Sequence, residues 1–161
     1  MPSEDVSRAK SCCLQLIKFR LRSEHEIREK LKDKDFSLKV IEEAVVFLKK
    51  SGLLDDRLFA RLWVSSRLNK PYGARRLRFE LKKKGIAPSL IEEALEPFKD
   101  ESASKKILEE FVERKIKKLK GLPPEKAKAR LYSLLMRRGF SQGDILDTIH
   151  KKFKSSFTTL S

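Results

Sequence analysis

Residues 73–95 read GARRLRFELKKKGIAPSLIEEAL, and this stretch decides the fold because the chain carries related versions of it on either side. Moved back by 50 residues, Leu81, Ile86, Ile91, Glu92, Glu93, Ala94 and Leu95 fall on Leu31, Phe36, Ile41, Glu42, Glu43, Ala44 and Val45. Moved forward by 54, Leu77, Leu81, Gly85, Ile86 and Ile91 fall on Leu131, Leu135, Gly139, Phe140 and Ile145. Similarity recurs where packing requires it, so the chain reads as three related modules.

Backbone chemistry predicts the turn inside each module. Gly85 and Gly139 stand where a helix ends in a left-handed residue, a conformation glycine enters without a side-chain penalty. Asp35 holds that place in the first module and tolerates it better than most residues. The next residue is apolar each time and folds back on the apolar residue five positions earlier, pairing Leu31 with Phe36, Leu81 with Ile86, and Leu135 with Phe140. Ser37 and Ser141 then cap the following helices, Pro88 suits a first helical position, and Ser23 with Glu26 makes a capping box one helix earlier.

Apolar residues at helical spacing fill the remainder, among them Phe59 with Trp63, Ile107 with Phe111, and Leu131 with Leu135, while strand alternation is absent. The expectation is an all-α chain, an elongated tandem array of three three-helix modules with about nine helices. Their expected bounds are 5–51, 55–99 and 102–155, followed by a tail at 156–161.

Charge narrows the function. The chain has 38 Lys and Arg against 23 Asp and Glu, a net +15, which favours nucleic acid, an acidic protein surface or an anionic membrane. Charges interrupt every apolar run well short of the roughly 20 residues that span a bilayer. The opening MPSEDVSRAK lacks the apolar stretch of a signal peptide, so a cytoplasmic protein without a membrane partner is expected.

The charge is concentrated at residues 61–84, where Arg61, Arg67, Lys70, Arg75, Arg76, Arg78, Lys82, Lys83 and Lys84 face the single acid Glu80, a net +8. On a helix starting near Gly73, Arg75, Arg78 and Lys82 share one stripe while Leu77 and Leu81 turn inward. Like charges so placed repel by a few tenths of a kcal/mol per pair, a cost that a polyanion relieves. A solvated face that only confers solubility is the alternative. A second basic zone, with Lys117, Lys118, Arg137 and Arg138, extends the track, so these residues and Arg67 to Lys84 are the expected contacts for DNA or another polyanionic surface.

The segment GLLDDRLFARLWVSSR at 52–67, followed by GARRLRFELKKKGI at 73–86 and IEEAL at 91–95, resembles the RecX family. The resemblance extends to Ser23–Leu48 and to Leu131–Ile149, where Arg138-Gly139-Phe140-Ser141 matches the family's final turn. It departs at Asp35, where a glycine is expected, and at Leu54, near a common aromatic position. The resemblance implies a protein that binds the recombinase RecA, above all its filament on DNA, and modulates filament growth, ATP hydrolysis and strand exchange, most often as an inhibitor. It also implies action by binding, without catalysis or cofactor. Composition alone is equally compatible with a nonspecific, architectural DNA-binding helical protein. DNA binding is expected to be weak and largely nonspecific, and the protein monomeric.

Other residues invite sharper readings. Trp63 could stack a nucleobase, but its spacing with Phe59 favours a core role, and Tyr72, between Pro71 and Gly73, is a loop tyrosine expected to pack locally. Asp55 and Asp56 read as helix-start acids in preference to a metal pair. His25-Glu26 lacks the second histidine of H-E-x-x-H, no nucleophile lies beside His25 or His150, and no phosphate-binding glycine loop exists. Cys12 and Cys13 are adjacent, a poor arrangement for a disulfide or a zinc site, and read as reduced thiols.

Overall fold

The computed structural model describes residues 4–158, and among the described residues there are nine α-helices, one 3-10 turn and no strand. The helices are α1 (Glu4–Phe19), α2 (Glu24–Lys32), α3 (Leu38–Lys50), α4 (Asp56–Ser65), α5 (Ala74–Lys83), α6 (Pro88–Ala94), α7 (Glu101–Lys118), α8 (Pro124–Arg137) and α9 (Gln142–Thr158), with the 3-10 turn at Glu96–Lys99. Helix α9 takes in residues 156–158 of the expected tail, and 159–161 lie outside the described residues.

The helices pack as two compact units. One comprises the chain up to Trp63 together with Glu80–Ala94, the other Val64–Phe79 together with the chain from Leu95 onward, so α5 runs through both. In the first, α1 and α2 lie against α3 around Ile27, Leu31, Ile41, Val45 and Leu48, all at most 1% exposed. In the second, α7 and α8 lie against α9 around Leu108, Val112, Leu131, Leu135 and Ile145. Each fully buried Leu or Ile contributes about 1.5–3 kcal/mol, which holds short helices that water alone would not sustain.

The turns have the expected backbone. Asp35, Gly85 and Gly139 adopt φ of 60°, 72° and 82°. Each turn makes the paired Schellman bonds: Asp35 N–H to the Lys32 carbonyl (2.9 Å) with Phe36 N–H to Leu31 (3.2 Å), Gly85 to Lys82 (3.0 Å) with Ile86 to Leu81 (3.1 Å), and Gly139 to Met136 (3.0 Å) with Phe140 to Leu135 (3.3 Å). The same motif ends α3, where Gly52 N–H donates to Lys49 (3.1 Å) and Leu53 N–H to Leu48 (2.9 Å). The restarts are capped as expected, with Ser37 Oγ accepting from Val40 N–H (3.4 Å), Ser141 Oγ from Asp144 N–H (3.1 Å), and Pro88 opening α6.

Two junctions fix α5. At its end, in the first unit, the buried Ser23 hydroxyl donates to the Lys84 carbonyl oxygen (2.6 Å), and a Cβ on Gly85 would collide with the Cβ of His25. Ser23 is also the cap of α2, its Oγ accepting from Glu26 N–H while its own N–H donates to Glu26 Oε2, both at 3.2 Å. At its start, in the second unit, Gly73 N–H donates to the Arg138 carbonyl oxygen (2.8 Å). There a Cβ on Gly73 would strike the Gly139 carbonyl, and one on Gly139 the backbone nitrogen of Arg76. The junctions correspond, because the repeat offsets place Ser23 on Gly73 and Lys84 on Arg138. In each, the carbonyl end of one middle helix meets the amide end of another, an arrangement their opposed partial charges favour.

Candidate nucleic-acid interface

Helix α5 carries the centre of the basic window. Leu77 and Leu81 are fully buried, which turns Arg75, Arg78 and Lys82, spaced three and four apart, to the exposed side. The placement of Arg75 and Arg76 runs against helix electrostatics. A helix start favours acids, yet the first turn of α5 has none. Lys82 and Lys83, in the last turn, agree with the dipole.

Arg76 lies with its guanidinium carbon 4.7 Å from the centre of the Tyr72 ring and its Nη1 3.5 Å from the Arg137 carbonyl oxygen. Through the Gly73–Gly139 contact the second unit therefore gathers Arg75, Arg76 and Arg78 at the start of α5 with Arg137 and Arg138 at the end of α8. Arg137 is exposed, as are Lys70, Lys117 and Lys118, and Lys117 lies 3.9 Å from Glu113. Lys117 and Lys118 occupy the last turn of α7, where their charge also suits the helix end. Half-buried Arg67 donates from Nη1 to Ser66 Oγ at 2.8 Å.

Two residues expected to contact anions also have partners within the protein. Lys84 Nζ is 2.6 Å from Glu26 Oε1 and 5.3 Å from the centre of the Trp63 ring. Arg20 Nη2 reaches the same carboxylate oxygen (2.8 Å). Burial would raise the Glu26 carboxyl, but hydrogen bonds from Arg20, Lys84 and the Ser23 backbone outweigh it and bring it down to about 2. Arg138 sits with its guanidinium carbon 4.6 Å from the centre of the Phe111 ring and 5.4 Å from that of Tyr72, and donates to the Pro71 carbonyl at 3.2 Å.

The aromatic readings sort in the same way. Half-buried Trp63 stacks on Phe59 with centroids 5.6 Å apart and rings inclined by 21°, and its Nε1–H donates to Glu80 Oε2 at 3.0 Å. Tyr72 packs under the two arginines. Phe79 differs: one α-helical turn after Arg75 and adjacent to Arg78, it remains 57% exposed. The sequence reading passed over it, although an apolar ring between cations on the solvent side of an amphipathic helix was the available signal.

The acid pair divides its work. Asp55 Oδ1 accepts from Leu58 N–H (3.0 Å) and caps α4, whereas Asp56 Oδ1 accepts from Glu24 N–H (2.8 Å) at the first residue of α2. Burial raises the Asp56 carboxyl. Cys13 is buried, and burial first, then the adjacent Cys12, pushes its thiol up to about 11. Among the described residues no group of three His, Cys, Asp or Glu could hold a metal ion, and no helix is long and apolar enough to cross a membrane.

Residues 9–48, 55–95 and 106–149 match the first, second and third three-helix domains of RecX. The chain is 36% identical over 156 residues to the regulatory protein RecX of Chlorobium phaeobacteroides BS1, covering 96% of this chain and 100% of that one. Against the regulatory protein RecX of Clostridium acetobutylicum it is 33% identical over 153 residues, covering 92% and 70%. The crystal structure of RecX from Lactobacillus salivarius superposes with a TM-score of 0.80 at 23% identity, covering 94% of this chain and 98% of that one.

Proposed function

The chain belongs to the RecX family, and from that premise we propose that it regulates the RecA recombinase by binding RecA and its filaments on DNA in the cytoplasm. It acts as a non-enzymatic monomer that slows filament extension, ATP hydrolysis and strand exchange, and the ATPase is the partner's. The three-helix segments near 5–51, 55–99 and 102–155 serve as linked contact modules. Engaged together on neighbouring protomers, they gain avidity beyond any single contact and oppose the protomer movements that accompany nucleotide turnover.

The observation that carries this reading is the cluster of Arg75, Arg76 and Arg78 at the start of α5, where helix electrostatics favour acids. Cations held there concentrate positive potential, and phosphate relieves it. Binding to DNA by itself is weak, indifferent to sequence and steeply salt-dependent, because each phosphate contact contributes about −0.9 to the log–log salt slope on duplex. Replacing Arg75, Arg76 and Arg78 by Glu should weaken binding and flatten that slope. An unchanged isotherm would assign the basic face to solubility. DNA binding without any effect on recombinase filaments would leave an architectural DNA-binding protein as the better reading.

A further inference from the structure

We propose that the outer face of α8 is a second phosphate-binding strip, in which Lys126, Arg130, Ser133 and Arg137 take the backbone of a nucleic-acid strand beside the α5 cluster. The proposal rests on the nucleic-acid reading of the chain and adds a surface to it. Ala127, Leu131 and Leu135 turn one side of α8 to the core, while all four strip residues are exposed. Steps of four, three and four residues hold them within about 60° of arc and about 16 Å of helix length. No acid shares the strip, because Glu125, the only acid of α8, pairs with Lys128 at 2.8 Å. Among the described residues the four side chains make no hydrogen bond or ion pair.

A face that served solubility alone would carry both signs. The surface of α7 and α9 does so: Lys151 reaches Glu109 (2.8 Å), Lys152 reaches Glu113 (3.2 Å) and Lys105 lies 4.0 Å from Asp144. The repeat sharpens the contrast, because its offsets put Glu26, Arg76 and Arg130 in one place. Glu26 is held by Lys84 and Arg76 lies against Tyr72, whereas Arg130 has neither kind of partner. An acidic protein surface would call for apolar or aromatic anchors among the cations, and the strip has none. A hydroxyl set between cations suits phosphate oxygens, and contacts confined to phosphate read no base. At Arg137 the strip meets the start of α5, where Gly73 N–H donates to the Arg138 carbonyl and the Arg137 carbonyl lies 3.5 Å from Arg76 Nη1.

The test compares full-length protein with a strip variant, Lys126→Gln with Arg130→Gln and Arg137→Gln. A control of equal charge loss carries Lys99→Gln, Lys105→Gln and Lys151→Gln, whose lysines are ion-paired. Affinity is measured against salt on an oligo-dT strand, the same strand with abasic sites, and a mixed-sequence duplex of equal length. The strip variant should lower the log–log salt slope by about 2.7 on duplex and about 2.1 on either single strand, one phosphate per cation. Arg130→Gln alone should lower the duplex slope by about 0.9. Arg130→Lys and the control should keep the wild-type slope. An unchanged slope in the strip variant, or an equal lowering by the control, would overturn the strip and leave net charge alone as the cause. A loss on oligo-dT that is absent on the abasic strand would also overturn it, since the contacts would then be to bases. So would normal DNA isotherms with weakened binding to preformed recombinase filaments, which would make the strip a protein contact. If the wild type binds none of the probes, the nucleic-acid reading itself fails and the strip falls with it.

Discussion

At both ends of α5 a helix-end carbonyl accepts a hydrogen bond from the start of another helix, but the donor and the surrounding side-chain chemistry differ. At its end, Lys84 reaches Glu26, a carboxylate also held by Arg20 and by the Ser23 backbone. At its start, Arg138 lies against the rings of Phe111 and Tyr72. The repeat offset explains the difference, because the residue in the place of Glu26 is Arg76. A cation there cannot pair with Arg138, so aromatic faces and the Pro71 carbonyl take the guanidinium instead. At one junction the cations pair with a carboxylate. At the other, Arg76 and Arg138 carry like charge, and it is the one beside Arg75 and Arg78.

The largest expected effect breaks the shared geometry. Alanine at Gly139 must hold a left-handed backbone and push a Cβ into the Arg76 backbone, for a loss of about 3 kcal/mol or more in denaturant unfolding. Alanine at Gly85 meets the same backbone demand, but its obstacle is the side chain of His25. A second change, His25→Gly, should therefore recover part of the Gly85→Ala loss. No side-chain deletion at Arg76 should rescue Gly139→Ala to the same degree.

The next effect separates the junctions by pH. Glu26 has its carboxyl lowered from 4.5 to about 2 in the folded chain, so its stabilisation is fully present above pH 4.5 and is lost as the pH falls toward 2. The lowering corresponds to roughly 3 kcal/mol as an order of magnitude. Glu26→Gln should lose that stability at neutral pH and flatten the acid limb of the stability curve between those values. An acid limb identical to wild type would show that the ion pair contributes nothing to docking.

The smallest effect concerns the aromatic junction. Arg138→Gln should cost about 1 kcal/mol, a cation held against two rings, with no change in the acid limb. If that substitution proves as costly as Glu26→Gln, the two junctions differ less in energy than in chemistry.

Much of the fold was legible in the sequence because its signals are local. Left-handed Asp35, Gly85 and Gly139, the apolar residues after them, and the caps at Ser23 and Ser37 all act within one or two turns. The junctions were not legible, since Ser23 meets Lys84 across 61 residues and periodicity within a module says nothing about such a partner. For the same reason the internal partners of Lys84 and Arg138 were hidden: composition counts their charge, and packing adds Glu26 or two rings beside it. Asp56 illustrates the point again, reading as an acid for its own helix while bonding the start of α2. The basic helix itself was legible from Arg75, Arg78 and Lys82 opposite Leu77 and Leu81, and the same pattern places Phe79 on its exposed side.

The central claim, regulation of a recombinase filament by binding, is tested most directly by the DNA-dependent ATPase of RecA. Filaments are preformed on DNA, and salt is set where competition for free DNA is negligible. Substoichiometric full-length protein should bind these filaments and lower their ATPase. Replacing Arg75, Arg76 and Arg78 by Glu should abolish the effect. Full-length protein that neither binds the filaments nor changes their ATPase would contradict the claim.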